Sequence, residues 1–256
     1  MKVKIKILYE DDNFLGIDKP VGISIHQTAN NKEYSIADWV MENYSKLKNV
    51  GENMNVEYKG KQIEILRPGI IHRLDKETSG VLLIAKTQES FEFLKKQFKK
   101  HQIKKVYNAF VYGKVSDPVA SLRTGKKGVI NAPIGRSPKD IRMWTAGRGV
   151  RGDAKEAITE YVVLKRFEDQ GENFSYLEVY PKTGRTHQIR VHLRYINHPV
   201  VSDSLYASNY EPALGFIRTA LHARMISFKN KDGKEINIEA PMPKDFKNAL
   251  SQYFVA

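Results

Sequence analysis

The stretch His72–Gly80, HRLDKETSG, combines residue types that could carry chemistry. It places one carboxylate, Asp75, two residues after Arg73 and just ahead of a Thr-Ser-Gly turn. An ionised carboxylate can act as a nucleophile or a base, and a nearby cation favours the ionised form. Aspartates near turns also cap backbone N–H groups, so the residue type alone leaves a structural role open. The apolar run Val81–Ala85 that follows predicts a buried strand.

The nonapeptide HRLDKETSG resembles the signature of the RluA-type pseudouridine synthases, in which the aspartate is catalytic. The resemblance implies that Asp75 acts on the ribose of a target uridine, as a nucleophile or as a base. The reaction breaks the N-glycosidic bond, turns the uracil and rejoins it through carbon, after which the carbon-bound proton is lost. It involves no net redox change and needs no phosphate energy. We therefore expect no cofactor.

A second segment, Pro181–His192 with the sequence PKTGRTHQIRVH, resembles the third motif of the same family. In that motif the arginine pairs with the catalytic aspartate, which implies that Arg185 keeps Asp75 ionised inside its pocket. Arg185 could instead cap the helix that begins nearby. We assign Ile189 and Arg190, from the same motif, to substrate binding.

The segment Lys105–Gly113, KVYNAFVYG, resembles the family strand whose tyrosine stacks on the target uracil. The resemblance implies that Tyr107 stacks on the base and helps to remove its carbon-bound proton. A phenol suits both tasks, because it has a flat face and an ionisable oxygen. Tyrosines in strands more often serve only in packing, and that is the alternative for Tyr107.

Four further residues are predicted to bind substrate. In RluA-like enzymes the arginine matching Arg73 intrudes where the target base was, and a phosphate contact is the alternative. Asp18–Gly22, DKPVG, resembles the first family motif, in which Lys19 would shape the cleft rather than react. His72 and Thr78 belong to the Asp75 motif and are assigned to substrate binding with it.

Composition favours a polyanionic partner. The 256 residues carry a net charge of +13, and cations that neutralise phosphates release counterions. There is no cysteine, which excludes disulfides, thiol catalysis and cysteine-ligated metals. His187 and His192 are five residues apart without a carboxylate cluster, so we predict no metal site. No apolar run reaches the length of a membrane span, and we expect a soluble, cytoplasmic, monomeric protein.

The pattern along the chain predicts an α+β fold, with a mixed, largely antiparallel sheet and flanking helices, resembling the pseudouridine synthase catalytic fold. We expect one catalytic domain over residues 1–256, without the small S4-like RNA-binding domain that precedes it in many relatives. Predicted strands are 3–9, 14–18, 81–85, 104–115, 157–167, 176–180, 223–229 and 235–239. One predicted helix begins after Ser35 and ends at about residue 48, and a second begins after Thr87. Two more are predicted over residues 186–196 and 244–254. Residues 49–62 are predicted to form a loop or a short hairpin.

Residues 116–155 are predicted to form a glycine-rich, mobile loop that tracks a nucleic-acid backbone. They hold nine basic residues against three acidic ones. The lysines of the helix after Thr87 offer a second basic face, or only a solvated one. One departure from the family pattern is Ser202, which stands where glycine is usual and could alter a turn.

The sequence therefore predicts an RNA pseudouridine synthase acting on a tRNA or ribosomal RNA stem-loop. A catalytically silent RNA-binding protein with this fold and a DNA-directed glycosidase are the alternatives.

Overall fold

The computed structural model describes residues 3–28, 33–116 and 127–253 of the chain. The chain divides into two compact units, each with its own core. Unit 1 comprises residues 1–104 and 223–241, and unit 2 comprises residues 105–222 and 242–256. Arg123 and Lys126 of the predicted basic loop, and Phe254 of the last predicted helix, lie outside the described residues.

Strands dominate both units. In chain order they are β1 (Lys6–Glu10), β2 (Phe14–Lys19), β3 (Met54–Tyr58), β4 (Lys61–Ile65), β5 (Ser79–Ala85), β6 (Lys104–Tyr112), β7 (Gly128–Asn131), β8 (Ile134–Arg136), β9 (Trp144–Ala146), β10 (Arg151–Lys155), β11 (Ile158–Asp169), β12 (Glu172–Pro181), β13 (Leu221–Lys229) and β14 (Glu235–Glu239). The helices are α1 (Ile36–Asn43), α2 (Gln88–Lys99), α3 (Gln188–Tyr195) and α4 (Lys244–Tyr253), with a 3-10 helix at Ser45–Asn49.

In unit 1 the strands run in the order β1, β2, β5 and β13, with β14 paired to β13. The β1–β2, β2–β5 and β13–β14 pairs are antiparallel. Apolar residues of β2, β5, α2, β13 and β14 form the core, which includes Phe14, Leu83, Phe91 and Phe228. Strand β5 is buried at every position, as its continuous apolar sequence predicts.

Helix starts in unit 1 follow from local hydrogen bonds. Ser35 and Asp38 form a capping box at α1, where each side chain accepts a hydrogen bond from the other's backbone N–H. Thr87 caps α2 through the N–H of Ser90. Helix α1 is shorter than predicted, because Tyr44 leaves the helical conformation and a 3-10 turn follows. Strands β3 and β4 form a hairpin, one of the two alternatives that the sequence left open.

In unit 2 the antiparallel strands lie in the order β6, β12, β11 and β7. The core of the unit gathers apolar side chains from this sheet, from α3 and from α4, with Phe110 at its aromatic centre. The ring of Phe110 lies within 4.7–5.4 Å of those of Tyr176, Phe216 and Phe246. This packing gives β6 and α3, which carry predicted site residues, a rigid support.

Residues 127–155 are more ordered than the predicted mobile loop. They contain β7 and a separate three-stranded antiparallel sheet in the order β10, β8, β9. Ile134 and Ala146 anchor this small sheet, since both are buried. These strands could not be predicted from the sequence, because each is only three to five residues long and lies among glycines.

Ser202 adopts a backbone φ of 55°, in the left-handed region that favours glycine. Its hydroxyl donates a hydrogen bond to the carbonyl of Phe216 at 2.9 Å and accepts one from the N–H of Ala213 at 3.3 Å. The turn therefore retains a conformation suited to glycine, and the serine side chain ties it to the segment 213–216.

Across the described parts of the chain, no helix is both long enough and apolar enough to cross a membrane.

Candidate active site

Asp75 begins a tight turn at the entrance to β5. The N–H of Thr78 donates to the Asp75 carbonyl at 3.1 Å, which closes the turn over residues 75–78. Leu74 on one side and Thr78 on the other are almost fully buried, whereas Asp75 is half-buried. The turn is thus anchored at both ends, and the carboxylate stays near the surface of unit 1.

Lys19 and Gly22 hold the Asp75 turn from the other side. The ammonium of Lys19, which is fully buried, donates to the carbonyls of Pro20, Ile23 and Lys76 at 2.7, 2.9 and 3.1 Å. The Lys76 carbonyl also accepts the N–H of Gly22 at 2.9 Å. Gly22 has a φ of 79°, which a residue with a Cβ rarely adopts. Lys19 therefore positions the turn, and its role in shaping the substrate cleft stays a prediction.

The glycine that ends the motif, Gly80, is required by the packing of β5. Its φ is 113°, and a Cβ at this position would lie 2.1 Å from the carbonyl oxygen of Ala223. Any side chain would force the two strands apart. The Thr-Ser-Gly part of the motif therefore lets the Asp75 turn enter the sheet directly.

His72 has a structural contact of its own. Its Nε2 accepts the N–H of Leu83 at 2.9 Å, and its ring stacks on Phe98 with centroids 5.2 Å apart. Because a backbone N–H can only donate, Nε2 carries no proton. These contacts fix the loop before Asp75 to β5 and α2, and substrate contact by His72 stays a prediction.

Unit 1 concentrates positive charge around Arg73, which is exposed. Burial lowers the pKa of Arg67, and the charge of Arg73 lowers it further, while Glu52 opposes the shift. Burial also lowers the pKa of His26, and the charges of Arg67 and Arg73 act in the same direction. Arg67 and Arg73 therefore influence each other electrostatically, and both roles given for Arg73, intrusion at the base position and phosphate contact, stay predictions.

Unit 2 carries Tyr107 and Arg185. Tyr107 is half-buried in β6 opposite Val179 of β12, and its ring packs against the core of the unit. The Nε of Arg185 donates to the carbonyl of Glu156 at 2.9 Å. This contact turns the half-buried guanidinium toward the residues just before β11.

Gln188 organises the loop that carries Arg185. Its amide oxygen accepts the Thr183 hydroxyl at 2.7 Å and the N–H of Arg185 at 2.9 Å. Its amide nitrogen donates to the carbonyl of Ile158 and to Oγ1 of Thr159, both at 3.0 Å. Gln188 is almost fully buried and uses all four hydrogen-bonding positions of its amide. Gln188 lies within the third motif but was not among the predicted site residues.

The same network continues to His192, which is fully buried. Its Nε2 donates to the Ala132 carbonyl at 2.9 Å, so Nδ1 is the atom that accepts the Thr159 hydroxyl at 2.8 Å. Burial lowers the pKa of His192, and the hydrogen bond to Ala132 opposes that shift. The neutral imidazole is therefore part of the framework behind Arg185.

The predicted substrate-binding residues of α3 are both buried. Ile189 is part of the core of unit 2. Arg190 forms a bidentate ion pair with Asp203 at 2.6 and 2.8 Å, and its guanidinium lies over the ring of Tyr206. Asp203 also accepts the N–H groups of Leu205 and Tyr206. These contacts give both residues a structural function, and substrate contact by either stays a prediction.

Residues 127–155 present a basic surface on unit 2. All seven lysines and arginines of this stretch are exposed, against two acidic residues. Arg142 is already paired with Asp140 at 2.7 Å, and Lys127 lies over the ring of Tyr180. Arg136 lies over the ring of Trp144, and Arg148 and Arg151 are exposed.

Within the described residues, no three histidine or acidic side chains are grouped so that they could hold a metal ion.

Comparison with known proteins defines the class. A family model described as RNA pseudouridylate synthase matches residues 13–195. An uncharacterized RNA pseudouridine synthase of Bacillus subtilis is 34% identical over 242 residues, which cover 94% of this chain and 70% of the relative. The ribosomal large subunit pseudouridine synthase D of Xanthomonas campestris is 33% identical over 97% of this chain and 69% of its own length.

Two solved structures agree with these matches. The human RNA pseudouridylate synthase domain containing 4 aligns with a TM-score of 0.68 and 26% identity, over 96% of this chain and 92% of that one. The human RNA pseudouridylate synthase domain containing 1 aligns with a TM-score of 0.69 and 23% identity, over 94% of this chain and 84% of that one. This second alignment supports the fold.

The chain belongs to the RNA pseudouridylate synthase family, and its named relatives are of the RluA type. It is an isomerase that converts uridine in RNA to pseudouridine. The predicted family, fold class and activity are confirmed.

Proposed function

We propose that Asp75 is the catalytic carboxylate of this synthase and that Arg185 is the cation that keeps it ionised. The observation that carries this proposal is the way unit 1 holds Asp75. The buried Lys19, the N–H of Gly22 and the anchor at Thr78 fix the backbone of the turn while the carboxylate stays half-buried. A reactive group needs this rigid backbone, because its carboxylate must meet the C1′ or C2′ region of the ribose in one orientation.

Tyr107 and Arg73 handle the base in this proposal. Tyr107 offers its ring as a stacking surface for the uracil, from a strand fixed on the core of unit 2. Arg73 is exposed, and its charge acts on a second arginine, Arg67; in this proposal Arg73 helps to hold the flipped nucleotide. The family's two mechanisms, attack by Asp75 on the ribose or abstraction of a ribose proton, both remain compatible with this arrangement.

We propose large-subunit ribosomal RNA as the substrate to test first, with tRNA as the alternative. Relatives from Xanthomonas campestris and Neisseria meningitidis carry the name ribosomal large subunit pseudouridine synthase D. The basic surface of residues 127–155 supports a structured RNA, because exposed arginines can follow its phosphate backbone. We further propose that the enzyme acts as a monomer in the cytoplasm.

To test this proposal, the purified protein is incubated, without any added cofactor, with unmodified transcripts of large-subunit ribosomal RNA and, separately, of tRNA. Pseudouridine is then mapped at single-nucleotide resolution. We expect pseudouridine at one or a few uridines of the ribosomal transcript. Pseudouridine in the tRNA transcript alone would make tRNA the substrate in place of ribosomal RNA. Pseudouridine in neither transcript would contradict both proposed substrates.

A further inference from the structure

Lys105 lies close in sequence to Tyr107 of unit 2 and is not one of the proposed active-site residues. It precedes Tyr107 by two residues on β6, so the two side chains leave the same face of the strand. Its Nζ donates to the Thr183 carbonyl at 3.1 Å, two residues before Arg185. One ammonium group is thus placed between the strand of Tyr107 and the loop of Arg185.

The charge of Lys105 is poorly compensated within the protein. Burial lowers the pKa of Lys105 to about 8. Among the described residues, the Thr183 carbonyl is the one hydrogen-bond acceptor for this ammonium, and no carboxylate there forms an ion pair with it. A half-buried cation in this situation gains from an external anion, because a charge-assisted hydrogen bond offsets the cost of desolvation.

The space around Gly184 leaves room for such an anion. A Cβ built at Gly184 would have one neighbour within 4 Å among the described atoms, Nζ of Lys105 at 4.0 Å. An ammonium has three donors, and the Thr183 carbonyl uses one of them. At least one donor can therefore point toward an incoming ligand on this side of the loop.

We propose that Lys105 binds a non-bridging phosphate oxygen of the RNA backbone at the nucleotide that stacks on Tyr107. This inference rests on the proposed function, since it assumes that Tyr107 meets the target base. RNA carries one such anionic group at every nucleotide, and a compact, strongly charged ammonium suits it. The same contact ties the Thr183 carbonyl to the bound RNA, so that binding of substrate also stiffens the loop of Arg185.

A chemical scan of the RNA tests this contact. The probe is a synthetic stem-loop around a uridine mapped in the transcript experiment, with one uncharged methylphosphonate linkage at a time. Each probe carries a 2′-O-methyl group at that nucleotide and is compared with the same RNA bearing an ordinary phosphate. Dissociation constants are measured for the wild type, for Lys105→Met and for Lys104→Met.

Lys104 is the matched control, because it neighbours Lys105, leaves the opposite face of β6 and is exposed in an ion pair with Glu235. We expect Lys105→Met to weaken binding of the natural probe about tenfold, as loss of a charge-assisted hydrogen bond does. The slope of log Kd against log salt should flatten by about 0.7 to 0.9. At one linkage near the target, the methylphosphonate should weaken the wild type and leave Lys105→Met unaffected. Lys104→Met should respond to that linkage as the wild type does.

The proposal would be overturned if every methylphosphonate linkage weakened RNA binding equally in the wild type and in Lys105→Met. It would also be overturned if Lys105→Met bound the natural probe with unchanged affinity. If Lys105→Met does not fold, reductive methylation of the wild-type lysines gives the answer. RNA should protect Lys105 and leave Lys104 reactive, and an unprotected Lys105 would overturn the contact. These binding measurements do not depend on turnover. They therefore separate a failure of the Lys105 contact from a failure of Asp75 as the catalytic residue.

Discussion

The amide oxygen of Gln188 accepts a hydrogen bond from the backbone N–H of Arg185 at 2.9 Å. The amide nitrogen of Gln188 donates to Ile158 and Thr159, the first two residues of β11. The backbone of the arginine proposed to pair with the catalytic carboxylate is thus held by a neutral, buried residue three positions along the chain. An arginine on an unsupported loop would spend part of its time in other conformations, at a cost in rate.

Replacing Gln188 should release the loop that carries Arg185 from strand β11. Gln188→Leu preserves approximate volume and removes four hydrogen bonds, which leaves the Thr183 hydroxyl and the N–H of Arg185 without this acceptor. We expect the free energy of unfolding to fall by about 2–4 kcal/mol in urea denaturation. The single-turnover rate of the folded variant should also fall. Gln102→Leu, at an exposed position, is the control. A stable and fully active Gln188→Leu would show that the network is dispensable.

Removing the guanidinium tests the proposed ion pair. A neighbouring guanidinium favours the ionised form of a carboxylate, and its removal favours the protonated form. Arg185→Met should therefore lower the rate strongly and shift the acid limb of the pH–rate profile toward higher pH. Arg148→Met, which removes an exposed arginine, should leave that limb in place. Weaker RNA binding with an unshifted profile would mean that Arg185 contacts phosphate instead.

Lowering the pH should reduce the free energy of unfolding, because His192 is buried in its neutral form. Because burial lowers the folded-state pKa of His192, its contribution to stability is complete above the unfolded value of about 6.5 and is lost as the pH falls below it. His192→Asn cannot titrate, so its free energy of unfolding should change less between about pH 7.5 and about pH 5.5. The variant will also be less stable overall. His26, whose pKa burial also lowers, leaves a residual dependence in both proteins. An unchanged pH dependence would exclude His192 as a source.

Lys19 should matter for both stability and rate. Lys19→Met keeps most of the side-chain length but leaves the carbonyls of Pro20 and Ile23 without their buried donor. We expect the free energy of unfolding to fall by about 2–4 kcal/mol. The rate of fully folded enzyme should fall as well, because the Lys76 carbonyl, next to Asp75, loses the same donor. Lys6→Met, at an exposed lysine of β1, is the control. Normal turnover in Lys19→Met would assign the lysine to folding alone.

Local features of the fold could be predicted from the sequence, and distant ones could not. The caps at Ser35 and Thr87 involve residues three positions apart, so a short sequence pattern contains both partners. Lys19, in contrast, reaches a carbonyl 57 positions away, and the amide of Gln188 reaches Ile158, 30 positions earlier. No spacing in a single sequence identifies such pairs. The motifs therefore indicated which segments form the candidate site, but not that Lys19 and Gln188 serve to hold it.

The central claim, that Asp75 is the catalytic carboxylate, is tested most directly by Asp75→Asn in single-turnover assays on RNA labelled with tritium at uracil C5. Pseudouridine formation releases that tritium, because the carbon-bound proton is lost. The substitution removes the charge with little change in volume, and the backbone hydrogen bond that closes the turn remains possible. We predict a rate lower by about a hundredfold to ten-thousandfold, with RNA affinity and the urea midpoint close to those of the wild type and of the exposed control Asp12→Asn. Near wild-type tritium release by folded Asp75→Asn would contradict the assignment.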